Sequence, residues 1–165
     1  MKVTSVSILR WNGVSKEPYT LGSATDVMGF NYFQRGTVRE MLVFTSRTIA
    51  QRTPENTRQS VEHQEYVAHV YNKGGLVAIV FVDREYPTRS AFSLLNKVLE
   101  EYIEKFSNSW RNAKADSVEA NGILEEALTK YQDPSQADKL LKVQKELDET
   151  KIVLVRELSK GSSFN

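Results

Sequence analysis

Apolar and polar residues interleave from the N-terminus onward. Val3, Ser5, Ser7 and Leu9 alternate with Thr4, Val6, Ile8 and Arg10, a period of two that predicts a first strand. Asn12-Gly13 is a hairpin-turn signal ahead of a weaker second strand around Tyr19 to Leu21. Three further β-rich stretches follow a helix: Thr57 to His63, Tyr66 to Tyr71, and Leu76 to Val82, the last two parted by Asn72-Lys73-Gly74-Gly75. Short connections favour antiparallel neighbours. The order strand, strand, helix, three strands, helix, helix therefore predicts α+β layers rather than a doubly wound sheet.

The helices carry a period of 3.6. Pro87 stands where a first helical position would be. Ala91, Leu95, Val98, Leu99, Tyr102 and Phe106 then form one stripe, with Ser93, Glu100 and Glu104 expected opposite. Ser107 to Lys114 reads as a polar loop. Asp116 and Glu119 have capping-box spacing ahead of Val118, Ile123, Leu124, Ala127, Leu128 and Tyr131, which predicts a shorter helix. Asp133 before Pro134, with Gln136 three residues on, marks another helix start and separates the last helix from what precedes it.

The first helix, about Phe33 to Arg52, has more apolar surface than one sheet face covers. Val38, Leu42, Thr45 and Ile49 fill one arc; Phe33, Met41 and Phe44 fall in another, with Thr37 and Thr48. If the first arc packs on the sheet, Phe33, Met41 and Phe44 face outward as an interaction surface, or are covered by a loop or the third helix.

The last helix carries a seam. Leu140, Val143, Leu147, Thr150 and Leu154 follow at alternating steps of three and four, as in a left-handed supercoil. The next seam positions are Glu157, Gly161 and Phe164. A carboxylate there must be desolvated and a helix-interior Gly costs about 1 kcal/mol relative to Ala, so the seam stops. Two heptads are also compatible with an amphipathic helix packed on its own domain.

Composition narrows the classes. In 165 residues, 22 Lys and Arg face 21 Asp and Glu, and no run of five like charges occurs, so overall charge gives no nucleic-acid or membrane-surface footprint. There is no cysteine, hence no disulfide, no thiolate nucleophile and no zinc–thiolate site in these residues. The longest apolar run, Leu76 to Val82, is far short of the ~20 residues of a membrane helix. With no basic-then-apolar leader pattern either, the chain is expected neither to span a membrane nor to be exported. His63 and His69 stand at no metal-site spacing, and no nucleophile elbow, phosphate loop or dinucleotide fingerprint occurs, so no catalytic, metal or cofactor residue is assigned.

FQRGTVREMLVFTSRTIAQRT, YVAHVY, DREYPTRSAFSLLNKVLEEY and KYQDPSQADKLLKVQKELDETKIVL, in that order and spacing, resemble the lipid-anchored longin-domain R-SNAREs, the prenylated synaptobrevin-homologue branch. The resemblance runs from Met1 to about Leu154. It implies a longin domain over residues 1–132: a profilin-like five-stranded antiparallel sheet with one helix on one face and two on the other. Residues 133–165 would then hold the truncated or divergent N-terminal half of an R-SNARE motif. It further implies a vesicle-fusion R-SNARE with Q-SNARE partners, cycling between cytoplasm and Golgi, vesicle and endosomal or vacuolar membranes. In this branch the longin domain binds its own SNARE segment and lipid anchor near the first helix and third strand. Phe44 stands where the family carries the hydrophobic residue central to closure; Phe33, Met41 and Val61 join it by geometry. Leu140, Val143, Leu147, Thr150 and Leu154 match the N-terminal layers of the bundle. Acyl transfer has been attributed to the branch, but no residue here can be named for it.

The tail VRELSKGSSFN departs from the pattern. The central-layer Arg would fall at Phe164, and the lipidation cysteine is missing, so the family lipid would attach beyond these residues. As it stands the chain is expected neither to complete a fusion bundle nor to hold a membrane by a covalent lipid, whether as a cut motif or a natural short form. The alternative reading is a longin-type adaptor or tethering subunit without fusion activity, which should lack a releasable heptad helix.

Overall fold

The computed structural model describes residues 1–141 and 152–155. Its strands are β1 (Val3–Arg10), β2 (Tyr19–Thr25), β3 (Thr57–His63), β4 (Tyr66–Lys73), β5 (Leu76–Asp83) and β6 (Ile152–Val155). The helices are α1 (Arg35–Gln51), α2 (Thr88–Phe106), α3 (Asn121–Lys130) and α4 (Pro134–Leu141). The strands form one sheet in the order β2-β1-β5-β4-β3-β6. The first five pair antiparallel, as expected; β6 adds in parallel to β3 and makes the sheet six-stranded rather than five.

Helices cover both faces, which is why central β5, LVAIVFV, is apolar throughout instead of alternating. Ala78, Val80 and Val82 join the core under α2 and α3, with Val6, Ile8, Leu95, Leu99 and Leu124. Val77, Ile79 and Phe81 join the core under α1, with Leu9, Leu42, Ile49 and Val61.

Several local expectations change. The first helix begins at Arg35, preceded by a 3-10 turn at Tyr32–Gln34 that contains Phe33. The loop after α2 is not uniformly polar: Trp110 is buried in the α2-side core, with Gly75 against its ring at a φ of 104°. Ser93, expected on the solvent face of α2, is buried, because α4 packs against α2 and Asp138 accepts a hydrogen bond from Ser90 one turn away. The capping box does not form. Asp116 accepts from the Thr20 amide and pairs with Arg47, Glu119 accepts from the Tyr102 hydroxyl, and Val118 is exposed.

Those diverted side chains guard a sheet edge. Along β2, the Thr20 amide donates to Asp116 and the Ser23 amide to Asn121, both at 2.9 Å, while the Ser117 and Ala120 amides donate to the carbonyls of Thr20 and Leu21. A strand edge left unpaired is a template for another chain, and the 116–121 strap closes this one. Gly22 lets the strap approach: a Cβ there would lie 2.7 Å from Ala120 Cβ and 2.9 Å from the Ala120 carbonyl carbon. Gly22→Ala should lower the unfolding free energy by about 1 to 3 kcal/mol through this overlap. Urea denaturation checks it; an unchanged midpoint would mean that the strap yields freely.

Candidate functional site: a segment docked on the open edge

With β2 guarded, β3 is the edge at which the five-stranded sheet can grow, and β6 grows there. The parallel register pairs Arg58 with Ile152, Gln59 with Val153, Ser60 with Leu154 and Val61 with Val155. This is strand addition, in which backbone bonds supply affinity and alternate side chains enter pockets. Val155 is the side chain that enters: it is 4% exposed and lies in the α1-side core with Val61, Leu42 and Ile49.

The approach to β6 is fixed upstream. The Gln132 side-chain amide pairs with the backbone of Val3, accepting from its N–H at 2.9 Å and donating to its carbonyl at 2.7 Å, so the chain is tied to β1 just before α4. Asp133 then caps α4, and hydrogen bonds from the Ser135 hydroxyl and from the Ser135 amide, the latter at 3.0 Å, hold its carboxyl below the usual range. On α4, Ala137 is fully buried and Leu140 packs half-buried against the α2-side core. The segment therefore touches the domain on the α2 face and at the β3 edge.

One continuous seam helix through Leu154 is not what forms. Leu140 lies in α4 and Leu154 in β6, while Val143, Leu147 and Thr150 lie outside the described residues. The reason is local as well as tertiary: Ile152-Val153-Leu154-Val155 has three β-branched residues in four, which favour extended backbone, and β3 offers a ladder to pair with.

The four patch residues divide between places. Phe33 stands out from the 3-10 turn. Met41 and buried Val61 line a small crevice between α1 and β3, together with Ile49, Tyr66 and Phe81. Phe44 faces the opposite flank of α1, a groove of about 330 Å³ shared with Arg39, Val43, Arg47 and Glu17. Its ring is 70% exposed. Sequence reasoning missed Val155 and Arg58. The β-branched run marked the first, but the heptad seam overlay it; nothing in the sequence marked the second.

Residues 27–126 match the family model for the longin domain, described as a regulated-SNARE-like domain. The chain is 54% identical over 154 residues to VAMP-like protein YKT61 of Arabidopsis thaliana, covering 93% of this chain and 77% of that protein. It is 44% identical to synaptobrevin homolog YKT6 of Debaryomyces hansenii (93% and 78% covered) and 39% identical to that of Saccharomyces cerevisiae (93% and 78%). The chain belongs to the longin-domain R-SNAREs of the YKT6 branch. This favours the R-SNARE reading, in vesicle trafficking with SNARE partners, over the adaptor reading. No helix among the described residues of this R-SNARE is long and apolar enough to cross a membrane.

Beneath the docked edge, the longin domain of this SNARE buries polar residues of β3 and β4, among them Arg58, Ser60 and His69. The Arg58 guanidinium stacks 3.9 Å from the centre of the Tyr71 ring, its Nε without a hydrogen-bond partner among the described residues. Next to it, Ser60 Oγ and His69 Nδ1 are 2.7 Å apart, and the imidazole meets the Phe92 ring edge-on at 5.2 Å. Burial pushes the His69 pKa down from 6.5 to about 4, so the folded protein holds it neutral. Between those values the unfolded chain binds a proton that the folded one refuses, so stability falls as pH falls from 6.5 and the loss is complete near 4. At 1.36 kcal/mol per pH unit, His69 alone should remove about 3 kcal/mol over that window. Urea unfolding at pH 7 and pH 4 should show this drop in the wild type and a flatter profile in His69→Gln. Parallel profiles would assign the acid sensitivity to other groups.

Proposed function

We propose that this R-SNARE restrains itself by folding the start of its SNARE segment onto its longin domain, α4 on α2 and β6 on β3, and that Q-SNAREs compete for the same residues. The supporting observation is Val155, a residue of the C-terminal segment built into the domain's own core. A tethered segment acts at an effective concentration on the order of millimolar, so a four-residue ladder and a few apolar contacts are enough to keep it docked.

The two destinations exclude each other. Leu140 and Leu154 would be layer residues of one helix in a SNARE bundle, with Val143, Leu147 and Thr150 between them. In the docked state Leu154 is a strand residue beside Ser60. Release therefore requires β6 to leave its ladder and refold as helix, a bistable element of the kind on which switches depend. The lipid that the family carries beyond these residues would be a second tethered ligand, and the crevice lined by Met41 and Val61 offers it an apolar surface at β3, the strand on which β6 docks. In the lipidated form the protein would cycle between cytoplasm and Golgi, vesicle and endosomal or vacuolar membranes.

Burying a valine is worth about 1.5 to 3 kcal/mol, which corresponds to about a 10- to 100-fold shift toward the open state when it is lost. Val155→Asp should accelerate association with Q-SNARE helices by about that factor, followed by fluorescence anisotropy. Phe44→Glu, at a side chain that is 70% exposed, should change the rate less. Equal rates for wild type and Val155→Asp would remove the basis for restraint at β6, and a larger effect at Phe44 would move the gate to the opposite flank of α1.

A further inference from the structure

The segment between β2 and α1 puts large apolar side chains into solvent and holds them there. Val27 and Phe30 anchor it, packed into the α1-side core. Met28, Tyr32 and Phe33 point away, 70%, 74% and 89% exposed. The backbone beneath them is pinned at several points. The Met28 amide donates to Asp26, the Phe30 amide to the Val27 carbonyl and the Phe33 amide to Asn31. Arg35 donates from Nε to the Phe30 carbonyl and from its terminal nitrogen to the Met28 carbonyl, each at 3.2 Å. Tyr32 and Phe33 meet edge to face at 5.7 Å. An unstructured loop could fold such side chains inward; this one is built so that they project.

Within residues 26–35 the one carboxylate is Asp26, and Lys2, Arg35 and Arg39 outnumber it around the tip. Lys2 lies beside Gly29 and pairs with Asp26, whose carboxylate also serves the Met28 amide. Arg35 reaches over the Tyr32 ring, and Arg39 stands exposed one turn further along α1; neither pairs with a carboxylate among the described residues. Aromatic and methionine side chains projecting from a rigid base, ringed by Lys and Arg, fit a bilayer surface: rings at the boundary between headgroups and acyl chains, cations among lipid phosphates. The chain's overall balance of +1 conceals this local excess.

We infer that the β2–α1 loop is a membrane-contacting tip, with Met28, Tyr32 and Phe33 entering the headgroup region and Lys2, Arg35 and Arg39 facing anionic lipid. The inference is independent of docking at β6. Cosedimentation of the full chain with phosphatidylcholine vesicles, and with phosphatidylcholine–phosphatidylserine vesicles, tests it. Wild type should partition onto both and more strongly onto the anionic ones. Tyr32→Ser with Phe33→Ser should weaken partitioning at least tenfold on both. Arg39→Gln should weaken it about fivefold on the anionic vesicles alone. Val118→Ser, an equally exposed apolar site on the α3 strap, should stay within twofold of wild type. No vesicle binding by wild type would overturn the inference and leave the tip as a protein-contact surface. Equal losses at Val118 and at the tip, or none at the tip, would also overturn it.

Discussion

A β-sheet must do something with its two outer rows of backbone donors and acceptors, and here the two edges are treated differently. At β2 the answer is permanent: the 116–121 strap supplies side-chain acceptors and backbone donors, and Gly22 gives it room. At β3 the answer comes from β6, a strand of the same chain that follows the helices. Closing one edge for good directs strand addition to the other. An edge satisfied by a tethered strand is reversible in a way that a core helix is not, because its loss exposes a ladder and one valine rather than a whole hydrophobic face.

Much of the domain was legible in the sequence. The five antiparallel strands and both long helices follow from alternation, from 3.6 periodicity and from turn residues such as Asn72-Lys73-Gly74-Gly75. What sequence could not give was where polar side chains would be used. Asp116 and Glu119 have the spacing of a capping box, yet tertiary partners 96 residues away at Thr20 and 17 away at Tyr102 claim them. Trp110 sits among polar neighbours in sequence but is buried in the α2-side core. Ser93 reads as surface until α4 packs on α2.

The candidate site was half legible for a related reason. Leu154 belongs to two patterns at once: a heptad seam, and a β-branched run that continues to Val155. Periodicity weighs helical and extended readings of one segment without knowing which partner is present, and in the isolated chain the partner is β3. The same ambiguity that defeats a single assignment is what a switch between bundle and domain would need. Helix α1 repeats the theme. It buries Leu42, Ile49 and Ala50, leaves Phe44 outward on one flank and Met41 beside the β3 crevice on the other, and so offers different surfaces on its two sides.

Amide hydrogen exchange in β3 tests the docked edge most directly, read on the Arg58–Val61 amides that face away from β4 in the free protein. Docking predicts slow exchange at those amides, lost by at least tenfold when proline removes ladder donors from β6 in Val153→Pro or Leu154→Pro, while amides facing β4 stay protected. Fast exchange in the wild type, or protection indifferent to both prolines, would contradict the account.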